Sequence, residues 1–146
     1  MTKSNLLAAF ALLLAACRTA PSGADGFRTI SHGYQTGITS GTVRVARTEA
    51  EWTSLWREHT SRELPRPSVP TIDFAKEMVV CVLSGERPSG GYGIEVVDAT
   101  FDGKALLLGT RETKPAADAV VPMMITRPFH MIATPTTDAD CRIAPR

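Results

Sequence analysis

The sequence of 146 residues has little cysteine, few aromatic residues and almost no net charge, and each shortage excludes a class of protein. Three cysteines are too few for a scaffold built on disulfides. Lys3 is the only charged residue before Cys17, so the chain after residue 16 carries no formal net charge. That balance argues against a nucleic-acid partner, and an aromatic content of 6% is too low for an extended surface that stacks single strands.

Long apolar runs are also missing. The longest, Leu6–Ala16, has 11 residues, whereas a membrane-spanning helix needs roughly 18 to 20. With one positive charge before it, this run predicts a signal peptide over residues 1–16. It ends in Leu14-Ala15-Ala16-Cys17, which resembles the bacterial lipobox, where the cysteine thiol carries diacylglycerol. Ordinary secretion with cleavage after Ala16 and a buried apolar helix remain as alternatives.

Acylation of Cys17 would hold the protein on a membrane, because each buried methylene of a fatty chain contributes about 0.8 kcal/mol. Arg18 stands where inner-membrane lipoproteins that resemble this one usually carry Asp, which favours the outer membrane, with the domain facing the periplasm or the cell surface. Residues 17–26 are rich in small and turn-forming residues and predict a flexible tether. The fold is expected to begin near Phe27.

An early helix is the clearest local prediction. Apolar and polar residues alternate in Val43–Ala46, which is typical of a short strand. Thr48 and Glu51 then have the spacing of a capping box, which predicts the start of a helix. The helix is expected to run to about Thr60. Its apolar positions fall on one face and indicate packing against a core; they are Trp52, Leu55, Trp56 and His59.

Strands dominate the rest of the chain. Met78–Leu83 is a continuous apolar run that predicts a strand buried on both faces. Ile94–Phe101 and Lys104–Glu112 flank Asp102-Gly103, a strong hairpin signal. Further along, Met123–Ile125 and Phe129–Thr134 predict one broken strand or two short ones, and the polar tail from Pro135 is expected to be loosely attached.

These elements predict an α+β domain over residues 27–135, followed by a tail over 136–146. We expect a mainly antiparallel sheet or a partly closed barrel, with the early amphipathic helix packed on it.

No catalytic or metal motif is found. Gly85 and Gly90 have the outer spacing of a phosphate loop, but the Lys and Ser or Thr that should follow are absent. The three histidines lack metal-type spacing and are interpreted as unrelated surface or core residues. Ser89 lacks the Gly-x-Ser-x-Gly elbow of a nucleophile. We therefore predict no catalytic residue, no metal and no cofactor.

Cys81 and Cys141 would be the free thiols left after lipidation. An oxidising periplasm permits them to pair, and a bridge closing about 60 residues would stabilise the fold by about 4 kcal/mol. The alternative is that Cys81 is a small buried hydrophobe and Cys141 a free thiol in the tail. A nucleophilic role for Cys81 is disfavoured, because a thiolate is costly in an apolar strand.

Several motifs in order resemble the PrcB C-terminal domain family. They are Trp52…Trp56…His59, then Val69-Pro70-x-Ile72-Asp73-Phe74, then Gly85–Tyr92 and Thr126-Arg127-Pro128-Phe129. The family's glycine loop usually reads Pro-Thr-Gly-Gly-Tyr, and Ser89 stands here in the threonine position. The family is named after a lipoprotein subunit that binds and stabilises a bacterial surface protease. The resemblance implies a protein partner, a protease among the candidates, and a non-enzymatic role.

A narrower resemblance concerns two loops. Pro88–Tyr92 and Arg127–Phe129 are similar to the loops with which chagasin-type inhibitors wedge cysteine proteases, although Phe129 replaces tryptophan. A small-ligand pocket protein or hydrolase is a further alternative. The glycines could instead form only a tight connection, with Tyr92 and Phe129 packed at the edge of the core.

From these observations we predict a partner-binding loop on a non-enzymatic envelope lipoprotein. Its proposed contact residues are Arg87, Pro88, Ser89, Gly90, Gly91, Tyr92, Arg127, Pro128 and Phe129.

Overall fold

A computed structural model describes residues 26–145. The predicted signal peptide, Cys17 and nearly all of the predicted tether lie outside these residues. The described chain forms seven strands and one helix, in the order β1 (Arg28–Gly33), β2 (Gly41–Ala46), α1 (Glu49–His59), β3 (Glu77–Ser84), β4 (Gly93–Phe101), β5 (Ala105–Thr113), β6 (Phe129–Pro135) and β7 (Asp140–Ile143).

The strands are arranged in two sheets. The larger sheet has the order β1-β6-β3-β2 and is antiparallel throughout. The smaller has the order β4-β5-β7, in which β4 and β5 are antiparallel and β7 runs parallel to β5. The α+β prediction is therefore confirmed. The described strands do not form a closed barrel, and the partly closed barrel is not confirmed. The single helix α1 is not long and apolar enough to cross a membrane.

Strand β3 is buried on both faces, as its continuous apolar sequence predicts. Val79, Cys81 and Leu83 pack in a cluster with the side chains of α1. Met78, Val80 and Val82 pack in a second cluster with residues of β4 and β5. Successive side chains of a strand point to opposite faces, so β3 serves both clusters. The result is three layers: the helix, the larger sheet and the smaller sheet.

The helix begins and ends where the sequence predicts. Thr48 Oγ1 accepts a hydrogen bond from the Glu51 N–H at 3.2 Å, and a Glu51 carboxylate oxygen accepts one from the Thr48 N–H at 3.2 Å. Thr60 forms the C-terminal cap. The predicted apolar face is buried, and the indole N–H of Trp52 donates to the carbonyl oxygen of Pro70 at 2.8 Å.

Two local predictions need correction, and one strand was not predicted. Arg28–Gly33 forms a strand that its polar sequence does not indicate. Met123–Ile125 forms no strand and is exposed, and the isolated bridge that follows it joins Thr126 to Arg87. The tail is not loosely attached, because Asp140–Ile143 pairs with β5 and the Arg47 guanidinium donates to two carbonyl oxygens in residues 137–139.

Candidate functional site

An open cleft of about 490 Å³ lies between the end of β1, the start of β4, the end of β5 and the segment 122–126. Residues Gly90–Gly93 of the predicted glycine loop form part of its wall. Its apolar lining comes from Tyr34, Tyr92, Ile94, Pro122 and Met124. The cleft brings the glycine loop together with Tyr34, about 60 positions earlier in the chain, and with Met124, about 30 positions later. Pockets of this size and composition are typical of binding sites.

Hydrogen bonds hold the segment 122–127 between the glycine loop and the chain after β1. On one side, Arg87 and Thr126 exchange backbone hydrogen bonds of 2.8 and 3.0 Å, and the Gly90 N–H donates to the Pro122 carbonyl oxygen at 2.8 Å. On the other side, the Arg127 N–H donates to the Tyr34 carbonyl oxygen at 2.8 Å. Backbone hydrogen bonds on both sides therefore hold the wall of the cleft in place.

Packing inside the protein explains why two positions of the loop are glycine. Gly91 has a φ of +82°, in the left-handed region that side chains disfavour. A Cβ at Gly91 would lie 2.9 Å from Pro115 Cβ and 3.1 Å from Val121 Cγ1. A Cβ at Gly90 would lie 3.0 Å from Pro122 Cδ. These glycines let the loop 114–122 pack across the backbone, which is the structural interpretation that the sequence left open.

The nine predicted contact residues do not form one surface. Gly90, Gly91 and Tyr92 line the cleft, and Arg87 lies beside it with its guanidinium carbon 5.7 Å from the centre of the Tyr92 ring. Pro88 is exposed. The other four predicted contact residues are buried; they are Ser89, Arg127, Pro128 and Phe129.

Burial of Arg127–Phe129 corrects the predicted second binding loop. Phe129 begins β6 and packs in the cluster with α1, with its ring centre 4.4 Å from that of His59. The Arg127 side chain is 8% exposed and bonds to a carboxylate oxygen of Glu86 at 2.7 Å. These residues belong to the protein interior. They are therefore not available at the surface to form the second loop of a chagasin-type wedge.

Ser89 is held by its neighbours. Its hydroxyl donates to the Gly90 carbonyl oxygen at 3.0 Å, and its carbonyl oxygen accepts from Thr126 Oγ1 at 2.8 Å. Both contacts fix the loop against the segment 122–127. Ser89 is therefore a structural residue of the glycine loop.

Two of the histidines, which the sequence analysis treated as unrelated, lie together. The ring centres of His32 and His130 are 4.6 Å apart. The His32 Nε2–H donates to the Ile94 carbonyl oxygen at 2.9 Å, and the Val96 N–H donates to Nδ1 of His130 at 2.8 Å. Both contacts join the larger sheet to β4 at the base of the cleft. Within residues 26–145, no group of three or more His, Cys, Asp or Glu side chains is placed to hold a metal ion.

The charges at the cleft neutralise each other. Arg111 Nη2 lies 2.5 Å from a carboxylate oxygen of Glu95 on the neighbouring strand. This hydrogen bond is the main cause that lowers the pKa of Glu95. The cleft therefore offers an apolar surface with one internally paired acid and base.

The two cysteines of the described chain are free. Cys81 packs on the helix side of the larger sheet, whereas Cys141 packs against the cluster on the opposite side. A disulfide between them would have to cross the sheet, so the geometry favours the alternative with two free thiols. Burial raises the pKa of Cys81 to about 12, which makes its thiolate inaccessible near neutral pH.

Fold and cleft together define a three-layer α+β domain with an open apolar cleft at one end of its sheets. Residues 78–135 match the model of the PrcB C-terminal family, which confirms the resemblance predicted from the sequence. The matched segment runs from β3 through β6 and contains the glycine loop and the segment 122–127. No curated protein and no solved structure matches the chain.

Sequence reasoning missed most of the cleft. Tyr34 and Gln35 follow β1, a strand that was not predicted. Tyr34 is 59% exposed, and the Gln35 amide donates to the Ile125 carbonyl oxygen at 3.1 Å. Met124 lies in an apolar run that was interpreted as a strand. The flanking residues Pro122 and Pro128 were the available signal, because proline lacks the N–H that a strand pairing uses.

Proposed function

We propose that this protein is a non-enzymatic envelope lipoprotein whose domain binds another protein through the cleft. The observation that carries the proposal is the fixed apolar cleft lined by Tyr34, Tyr92 and Met124. Next to it, Val120 and Met123 are among the most exposed apolar side chains of the described chain. An exposed apolar patch beside a pre-formed cleft is typical of an interaction site.

The family match supports a protease complex as the setting. The PrcB C-terminal family is named after a subunit that binds and stabilises a protease, and the matched segment contains the cleft residues from Gly90 to Thr126. We propose that the domain acts as such a stabilising subunit. The inhibitor alternative is disfavoured, because Pro128 and Phe129 are buried.

The proposed location is the outer membrane, with lipid attached to Cys17 and the domain facing the periplasm or the surface. This proposal rests on the sequence Leu14-Ala15-Ala16-Cys17. Its test is mass analysis of the purified protein. A fatty-acylated N-terminal Cys17 is expected, and a Cys17→Ser variant should leave the membrane fraction. An unmodified residue 17 with residues 1–16 retained would overturn this location.

Protein binding is tested by replacing two exposed apolar side chains at the cleft and, in a control variant, two exposed apolar side chains away from it. Tyr34→Ser with Met124→Ser removes apolar surface at the cleft. Leu64→Ser with Phe101→Ser removes it elsewhere, and both of these side chains are more than half exposed. After chemical crosslinking in cells, a defined protein should be captured by the wild type and by the second variant and lost from the first. Equal capture by both folded variants would remove the cleft from the proposal.

The stabilising role has its own readout. If the captured protein is a protease, its half-life in cells should fall when this protein is deleted or carries the cleft substitutions. Faster substrate cleavage after deletion would instead indicate an inhibitor.

A small-ligand pocket is the second candidate, because about 490 Å³ is within the range of small-molecule sites. It predicts that the purified protein carries a bound compound detectable by mass spectrometry after denaturation, and that the cleft variant loses it.

A further inference from the structure

We propose that the cleft receives an uncharged segment of a partner protein, with one apolar side chain of that segment seated between Tyr34, Tyr92 and Met124. The inference rests on the proposed protein-binding function and adds the chemistry of the ligand.

Charge is the first argument. Among the residues that line the cleft, Glu95 and Arg111 carry full charges, and they bond to each other. Nε2 of His32 is engaged by the Ile94 carbonyl oxygen. A charged ligand group seated among these lining residues would lose water without gaining a free opposite charge there, and burying an unpaired charge is strongly unfavourable. The nearby Arg87 lies beside the cleft, where its guanidinium packs over the Tyr92 ring and its Nε–H donates to Ser84 Oγ at 2.8 Å. An uncharged occupant avoids that cost.

The surface around the cleft is the second argument. Val120, Met123 and Ile125 continue the apolar lining outward and are each more than half exposed. A small molecule inside the cleft would leave these side chains in water. An extended chain can fill the cleft with one side chain and cover the neighbouring surface with the next ones. The occupant that fits is therefore a polypeptide segment.

Photo-crosslinking in cells tests the chemistry of the occupant. Tyr34 in the full chain is replaced by p-benzoylphenylalanine, and the matched control places the same aromatic crosslinker at Phe101, which is similarly exposed at 54%. The peptide attached at position 34 is then sequenced by mass spectrometry. We expect an uncharged, apolar stretch of another protein at position 34 and no adduct with that protein at position 101.

Introducing a charge at Met124 provides a second test. Met124 is about half exposed, so the fold should tolerate the change. With the crosslinker at position 34, Met124→Asp and Met124→Lys should each lower the yield of that adduct at least tenfold, and Met124→Leu should stay within twofold. A rise with one charge and a fall with the other would reveal a charged ligand and overturn the inference.

The remaining outcomes separate this inference from the proposed function. A protein adduct with a charged segment overturns the uncharged occupant and leaves protein binding intact. An adduct with lipid or with a second copy of this chain overturns the inference. Absence of any adduct at position 34 overturns both proposals.

Discussion

Nδ1 of His130 accepts a hydrogen bond of 2.8 Å from the backbone N–H of Val96, so one side chain joins the two sheets. His130 lies in β6 of the larger sheet and Val96 in β4 of the smaller. On the other side of the ring, Nε2 lies 2.8 Å from Thr29 Oγ1. Nδ1 can accept this bond only without its proton, so the contact requires the neutral imidazole. Burial accordingly lowers the pKa of His130 to about 4.

The first prediction is loss of stability in mild acid. Burial also lowers the pKa of His59 to about 4, and both values lie below the ordinary 6.5. The unfolded chain therefore binds more protons as the pH falls from 7 to 5, and it gains stability relative to the folded state. We expect the free energy of unfolding to drop by about 2 kcal/mol for each histidine over this range.

Urea denaturation at pH 7 and pH 5 measures this drop. His130→Gln keeps an acceptor for the Val96 N–H but does not titrate, so it should remove about half of the pH dependence. Equal stability of the wild type at the two pH values would contradict the assignment of two neutral buried histidines.

The second prediction concerns the glycine loop. Gly91→Ala should lower the free energy of unfolding by about 3 kcal/mol, because the left-handed backbone is strained by a Cβ and that Cβ would meet Pro115 and Val121. Gly103→Ala is the matched control. Its φ is +93°, but nothing lies within 4 Å of the added Cβ, so a cost of about 1 kcal/mol is expected. Similar losses for both variants, measured by urea denaturation, would show that packing at Gly91 contributes nothing.

The third prediction is that the C-terminal strand stabilises the domain. Ending the chain after Pro135 removes β7, which pairs with β5, and removes Cys141 from its packing against the cluster that contains Leu106 and Leu108. It also removes the carbonyl groups that bind Arg47. The loss should be about 3 kcal/mol, since several hydrogen bonds at about 1 kcal/mol each are lost with apolar burial. Deleting only residues 145–146 is the control and should leave the thermal midpoint unchanged.

The fourth prediction concerns the thiols. The native protein at pH 8 should leave Cys81 unalkylated by iodoacetamide, because its pKa of about 12 and its burial exclude the thiolate. Denaturation should make both Cys81 and Cys141 reactive without any reductant. A requirement for reductant, or an intact mass lower by two hydrogens, would reveal the disulfide that the geometry disfavours.

Local signals predicted the elements whose structure depends on neighbouring residues. Thr48 and Glu51 cap a helix through contacts three residues apart, and Asp102-Gly103 turns a hairpin within two residues. The continuous apolar run of β3 indicated burial on both faces before any partner was known. Arg28–Gly33 and Asp140–Ile143 were missed, because their polar sequences form strands only when a distant strand supplies the hydrogen bonds.

The candidate site shows the same division. Tyr92 and the glycines were singled out from the chain, but Arg127 was expected at the surface because charged residues usually lie there. Its burial depends on Glu86, which is 41 positions away. Tyr34 and Met124 carried no signal of their own, since an isolated tyrosine or methionine does not show which surface it will share.

The amino-acid sequence by itself determined the helix, the hairpin, the buried central strand and the resemblance to the PrcB C-terminal family. Only the tertiary structure decided that Phe129 is core, that Met124 is exposed and that Tyr34 meets the glycine loop across a cleft. The physical reason is range: caps, turns and burial periodicity act between neighbours, whereas a cleft is formed by surfaces that meet only after the two sheets have packed.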